Sequence, residues 1–187
     1  MSHYIDLRIR PMPEVAPEHV LEKVFTKIHL ALVASKRSDI GLSFPGVDEK
    51  RPDLGDLLRL HGSETALSEL LESARLAAWR DYLVLSEIKP IPEGCSFRLV
   101  SRVQVKNGLE ARRRRLARRH NLSLTEAVSR MPDSVRQWSR LPYIRMRSGS
   151  TGQSFRLFIK HGPVSSRPCP GFFNAYGLSQ EATIPWF

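Results

Sequence analysis

The order in which hydrophobic periods of two and of 3.6 residues follow one another narrows the fold of this 187-residue chain more than anything else in it. Ile5, Leu7 and Ile9 alternate with Asp6, Arg8 and Arg10, as a half-buried strand requires, and Pro11 and Pro13 end the run. Pro17 suits the first turn of a helix, and Val20, Leu21, Val24, Phe25, Ile28 and Leu32 follow at helical spacing. Ile40 to Phe44 reads as a short strand closed by Pro45-Gly46, and Val47–Gly55 as a polar connection to a strand around Leu58 and Leu60. Ser63 can N-cap a second helix with Leu67, Leu70, Leu71 and Ala74 on one face. Tyr82 to Ile88 forms the last strand, and Pro90 and Pro92 mark a linker. The order βαββαβ is the ferredoxin-like arrangement. The expectation is an α+β protein with a ferredoxin-like domain over residues 1–94 and a second domain over 95–187.

The second half is less regular. Phe97, Leu99, Val103 and Val105 alternate with polar and basic residues, giving a strand with a basic face that reaches Lys106. After Gly108 comes an arginine-dense helix, Leu109 to His120. Ser123-Leu124-Thr125-Glu126 has the form of a capping box opening another helix, which Pro132 limits. Tyr143–Arg147 and Phe155–Lys160 read as strands joined by Ser148-Gly149-Ser150-Thr151-Gly152, and strand-like pieces at Phe172–Tyr176 and Ile184–Phe187 complete the chain.

Charge separates the halves. Residues 1–94 hold 12 Lys/Arg against 15 Asp/Glu, and residues 95–187 hold 17 against 4, a net of −3 beside a net of +13. Charge kept only for solubility would be spread more evenly, so the second half calls for a polyanionic partner, and nucleic acid fits it. No apolar run approaches the roughly 18–20 residues of a membrane span, and the N-terminal residues lack the pattern of a secretory signal. Cys95 and Cys169 are too few for a disulfide framework and lack zinc-ligand spacing, so a reducing, cytoplasmic setting is expected, with no metal and no cofactor.

On the arginine helix, Leu109 and Leu116 share a face flanked by Arg113 and His120, while Arg114, Arg115, Arg118 and Arg119 spread over the other. Arg114–Arg118 and Arg115–Arg119 set like charges four residues apart, which costs an isolated helix a few tenths of a kcal/mol per pair. Phosphates lying between the guanidinium groups would reverse that cost. A solvated basic helix is the bland alternative; a membrane-surface helix would carry more bulky apolar residues. Arg102 and Gln104, two apart on the preceding strand, suit guanine and adenine at a major-groove edge, although such residues equally occupy the wet face of a sheet. An A-form groove admits side chains poorly, so base reading would fall at the end of a short stem.

Cleaving RNA without a metal needs a base for the 2′-hydroxyl proton and groups that hold ribose and phosphate for in-line attack. Histidine is the default base. Of His3, His19, His29, His61, His120 and His161, His29 lies at the edge of the first helix's apolar stripe and ranks only modestly above the rest. Ser148–Gly152 offers hydroxyls and amides for an anion nest, or is simply a hairpin loop. The four acidic residues after Glu93 (Glu110, Glu126, Asp133 and Glu181) argue against a two-metal nuclease centre in the basic half.

Several separate blocks, in order, resemble the CRISPR repeat-processing endoribonucleases of type I-F systems. They are His3–Pro11, Ile40–Pro45, Val100–Gln104, the arginine helix, Arg147–Ile159, Ala175–Ser179 and the final Pro185-Trp186-Phe187. Val47–Asp56 and Pro163–Gly171 depart from the family pattern. The resemblance implies an enzyme that binds the CRISPR repeat hairpin, cuts at the 3′ base of its stem to a 2′,3′-cyclic phosphate and a 5′-hydroxyl, and stays on the product with other subunits of the type I-F surveillance complex. It implies His29 as general base, Ser148 as the residue constraining the attacking ribose, and Tyr176 as the residue orienting the histidine. It implies Arg102 and Gln104 as base readers, and Arg114, Arg115, Arg118, Arg119 and His120 as phosphate contacts. Ser150 also belongs to the RNA-binding set, and Phe155 is implied to stack under the terminal base pair. The rival readings are a non-catalytic RNA-hairpin subunit of a ribonucleoprotein and a regulator that uses the arginine helix on duplex DNA.

Overall fold

In the computed structural model, which describes every residue except 49, 105–108, 132–139 and 150, and only the backbone of 109–111, the expected first-half order is present. It runs β1 (His3–Ile9), α1 (Pro17–Ser35), β2 (Gly41–Ser43), β3 (Leu57–Gly62), α2 (Glu64–Ala74) and β4 (Leu83–Leu85). The strands lie in the order β2-β3-β1-β4, every neighbouring pair antiparallel, which is the ferredoxin-like sheet. Register sets Ile5 opposite Leu60 and Leu7 opposite Leu58, and all four are buried. Helix α1 begins with Pro17 and sends Val20, Leu21, Val24, Phe25, Ile28 and Leu32 into the core. Ser63 caps α2, its hydroxyl accepting the Ala66 N–H. Pro90 is not in a free linker: Lys89–Pro90 forms a short edge strand, β5, beside His3 and Tyr4. A proline can occupy an edge because no ladder bond is asked of its nitrogen there.

The chain forms two compact units, Met1–Val103 with Leu141–Phe187, and Gln104–Arg140; the 94/95 division drawn from charge falls inside the first. The first unit also contains β6 (Ser96–Val103), β7 (Tyr143–Arg147), β8 (Ser154–Ser165) and β9 (Thr183–Trp186), an antiparallel sheet in the order β7-β8-β6-β9. Phe172–Tyr176, expected as strand-like, is loop, with a turn at Asn174–Gly177. The two sheets share one hydrophobic core, Ile5, Leu7 and Leu60 from the first, Val100, Leu157, Ile159 and Ile184 from the second. They meet at a glycine: a Cβ on Gly41 would stand 2.6 Å from Ile184 Cγ2. The outer face of β1 and β3 holds an ion pair, Arg59 Nε and Nη2 on Asp6 at 2.6 and 2.9 Å, with the Arg59 guanidinium 4.0 Å from the Phe187 ring.

In the second unit, α3 (Leu109–His120) packs on α4 (Leu124–Arg130). Arg113 is buried, and its Nε and Nη2 donate to the Met131 carbonyl at 2.9 and 2.7 Å, so this arginine joins the helices. Ser123 and Glu126 complete the expected capping box. Val105, Lys106, Gly108, Pro132 and Ser150 lie outside the described residues. Among those described, no helix is long and apolar enough to cross a membrane.

Candidate active site

The centre of the site is one contact between α1 and the loop that precedes β9. His29 follows Phe25 by one turn on the helix, at the border of its buried stripe, and its ring is half-buried. The Tyr176 ring lies on it, 4.3 Å between centroids and 8° from parallel, and is also within 10° of parallel to Phe25 at 6.4 Å. His29 Nδ1 is 2.7 Å from the Ala175 carbonyl oxygen. A carbonyl only accepts, so Nδ1 carries the hydrogen and Nε2 keeps its lone pair. A neutral imidazole held this way can take a proton at Nε2, as a general base must.

His61 and His3 differ. His61 is fully buried, its Nε2 2.8 Å from the Ser43 hydroxyl; burial first, and the nearby Arg59 charge second, lower its pKa to about 3. His3 stands at the start of β1, 3.9 Å from Glu64. The sequence separated these residues only weakly from His29, whereas the fold separates them clearly.

Arg102, near the end of β6, places its guanidinium 5.3 Å from the Tyr176 ring centre, and its carbonyl accepts Gln180 Nε2 at 2.9 Å. His29, Tyr176 and Arg102 are therefore brought together. Gln104 is not on the same strand, because β6 ends at Val103; it opens the second unit and is exposed.

Ser148 follows β7 and closes the hairpin loop: its N–H donates to Gln153 O at 2.8 Å, and its hydroxyl accepts the Thr151 N–H at 3.3 Å. Strand β7 runs alongside α1 in the same direction. Tyr143 and Arg145 share a cleft with Glu18, His19 and Glu22, and Arg145–Arg147 share the next with Glu22, Lys23 and Thr26. The backbone N–H of Arg145 donates to Glu22 Oε1 at 3.2 Å. From Glu22, His29 is about 10 Å further along the helix, and from Arg145, Ser148 is about 10 Å further along the strand.

Phe155, paired with Met146 across the β7–β8 ladder, is half-buried against the core and also lines a cleft of about 460 Å³ with Lys23, Arg145, Arg147 and Arg156 around it. Lys23, Arg145, Arg147 and Arg156 against Glu22 give this cleft an excess of positive charge, and Phe155 is its aromatic surface. In the second unit Arg114, Arg115, Arg118, Arg119 and His120 are all exposed on α3, the placement the helical spacing predicts for the arginines.

Two positions tied to His29 and Tyr176 by hydrogen bonds are not singled out by the sequence, Ala175 and Asn174. Asn174-Ala175-Tyr176-Gly177 is a β-turn, with the Gly177 N–H on Asn174 O at 2.8 Å, and Asn followed three residues later by Gly is the signal that was available. Gly177 has φ +67, and a Cβ there would stand 2.0 Å from Leu42 Cδ1. Its carbonyl accepts the Leu42 N–H at 2.8 Å, which ties the turn to β2.

Residues 4–187 match the model of the family described as CRISPR-associated protein (Cas_Csy4). The chain belongs to the Cas_Csy4 family. It is 47% identical over 187 residues to the CRISPR-associated endonuclease Cas6/Csy4 of Pseudomonas aeruginosa (strain UCBPP-PA14), covering all of both chains. It is 41% identical, with the same coverage, to the CRISPR-associated endonuclease Cas6/Csy4 of Escherichia coli (strain UTI89 / UPEC). The resemblance seen in separate sequence blocks is therefore an end-to-end relation, and Cas_Csy4 membership covers both sheets and the arginine helix.

Proposed function

We propose that this chain is a metal-independent endoribonuclease that binds the hairpin of a CRISPR repeat and cuts at the 3′ base of its stem to mature CRISPR RNA. Endonuclease action within a CRISPR system is what the family and the names of its full-length relatives carry. The finer reading rests above all on His29, held with Nδ1 on the Ala175 carbonyl and its ring on Tyr176.

In this reading Nε2 takes the proton of the 2′-hydroxyl beside the scissile phosphate. The freed oxygen attacks phosphorus, the P–O bond to the next nucleotide's 5′-oxygen breaks, and that oxygen takes a proton from solvent, to which His29 later returns the one it accepted. The products are a 2′,3′-cyclic phosphate and a 5′-hydroxyl. The nucleophile belongs to the RNA, so the reaction asks the protein for a base, for a constraint on the ribose, which we assign to Ser148, and for charge near the phosphate. Tyr176 keeps the base in place. Phe155 offers its ring to the last base pair, and Arg102 and Gln104 read bases at the foot of the stem. Arg114, Arg115, Arg118, Arg119 and His120, with Ser150, contact the RNA backbone.

In this reading the contacts assigned to the hairpin fall on the piece that remains after cutting, so the product stays bound and passes to the other subunits of a type I-F surveillance complex. Cytoplasmic residence suits Cys95 and Cys169, which are both free. The test is incubation with a repeat hairpin in chelator, followed by end-group analysis. A 3′ fragment starting with a 5′-hydroxyl and a hairpin ending in a cyclic phosphate are expected. Tight binding with no cut would favour the non-catalytic subunit, and cutting only with added metal would contradict the mechanism.

A further inference from the structure

We propose that Asn174 is a positioning residue for this reaction, fixing through a single peptide group which nitrogen of His29 carries the proton. The inference rests on the reading of His29 as the base. Asn174 Oδ1 accepts the Tyr176 N–H at 2.8 Å and the Leu178 N–H at 3.4 Å. The Tyr176 N–H and the Ala175 C=O belong to the same peptide unit, which is planar and trans, so the two point in opposite directions. The Asn174 carboxamide therefore holds one side of that plane while His29 Nδ1 meets the other at 2.7 Å. The series runs Asn174 Oδ1, Tyr176 N–H, Ala175 C=O, His29 Nδ1–H, and each bond polarises the next.

The Ala175–Tyr176 peptide is also the central peptide of the Asn174–Gly177 turn, the one that rotates when a turn changes type. If it turned over, the Tyr176 N–H would face His29 Nδ1. Nδ1 would then have to accept, the proton would move to Nε2, and the nitrogen facing the RNA would lose its lone pair. Tyr176 is not among the non-glycine residues with positive φ, so the turn is in the unflipped form. Flipping would also break the bond from Tyr176 N–H to Asn174 Oδ1. Both ends of the turn are fixed, by Asn174 N–H on Leu178 O at 2.9 Å and by the Gly177 carbonyl on Leu42 N–H, so the central peptide is the part left for the side chain to set.

The experiment is nitrogen NMR of the histidine rings in the full-length protein above the histidine titration range, with His29 assigned by His29→Ala, alongside single-turnover cleavage and hairpin affinity. The native protein should show His29 with hydrogen on Nδ1. Asn174→Ala should show a mixture of tautomers and cleave about tenfold more slowly with hairpin affinity within about twofold. Asn174→Asp, which keeps the acceptor, should restore the native tautomer and most of the rate. Should Asn174→Ala fail to fold, Asn174→Ser keeps a weaker acceptor at the turn and should fall between. A native tautomer and rate in Asn174→Ala would overturn the proposal, as would a loss that Asn174→Asp does not repair. Cleavage by His29→Ala at the native rate would remove the base assignment instead, while the ring signals would still report whether Asn174 sets the tautomer.

Discussion

The ring of Tyr176 covers that of His29 at 4.3 Å, nearly parallel, and the carbonyl of the residue before it takes the histidine's Nδ1 hydrogen. One loop thus supplies both the surface that orients the imidazole and the acceptor that sets its tautomer. Tyr176→Phe keeps the surface, and we expect it to cleave within about twofold of native. Tyr176→Ala removes a stacked pair worth about 0.5–1.5 kcal/mol and should slow single-turnover cleavage by roughly two- to tenfold. Equal rates for the two variants would show that the stack does not position the base.

The arginine helix should govern affinity and its salt dependence. If these arginines pair with phosphates as proposed, replacing Arg115 or Arg119 with alanine leaves one phosphate without its cation. Each such replacement should lower the slope of log affinity against log salt by roughly 0.7–0.9, on matched and mismatched stems alike. Gln104→Ala should instead narrow the preference for the right basal pairs. Filter binding over a salt series separates the two, and equal losses on both stems for Gln104→Ala would count against base reading.

Phe155 belongs to both the core and the cleft, and two substitutions separate these roles. Phe155→Leu keeps most of the core packing but removes the aromatic face, and should weaken hairpin binding by about 1–3 kcal/mol with little change in stability. Phe155→Tyr should retain most of the affinity. If Phe155→Leu binds as the native protein does, the residue is a core side chain only.

His61 gives the fold a pH dependence unrelated to the reaction. Its folded pKa, about 3, lies below the ordinary value of 6.5, so between those values the unfolded chain binds the extra proton. Its contribution is full above pH 6.5 and is lost as pH falls toward 3, at up to about 1.4 kcal/mol per unit. Urea midpoints at several pH values should fall across this window, and His61→Gln should fall less steeply than the native protein. Parallel slopes would mean that other groups carry the acid sensitivity.

The strands and helices of the first sheet were legible because each hides one face: Ile5, Leu7 and Ile9 could only repeat as they do if the residues between them faced elsewhere. The second sheet was legible in pieces but not in its order, since β6, β8 and β9 are neighbours across long separations that no local period records. In the sequence Pro90 reads as a linker because proline ends most strands, yet an edge beside β1 tolerates it. Periodicity gave His29 only a boundary position. Its distinction comes from Ala175 and Tyr176, 146 and 147 residues further on, a pairing that the residue-by-residue reading could not supply and the family resemblance supplied only in part.

We propose His29 as the base in a reaction whose nucleophile comes from the RNA. Single-turnover cleavage of a repeat hairpin in EDTA by His29→Ala, with hairpin affinity measured on the same protein, tests it most directly. Loss of cleavage with affinity within a few-fold of native is expected, and the same outcome for the native protein on a hairpin bearing 2′-deoxy at the attacking position. Cleavage by His29→Ala at the native rate would contradict it.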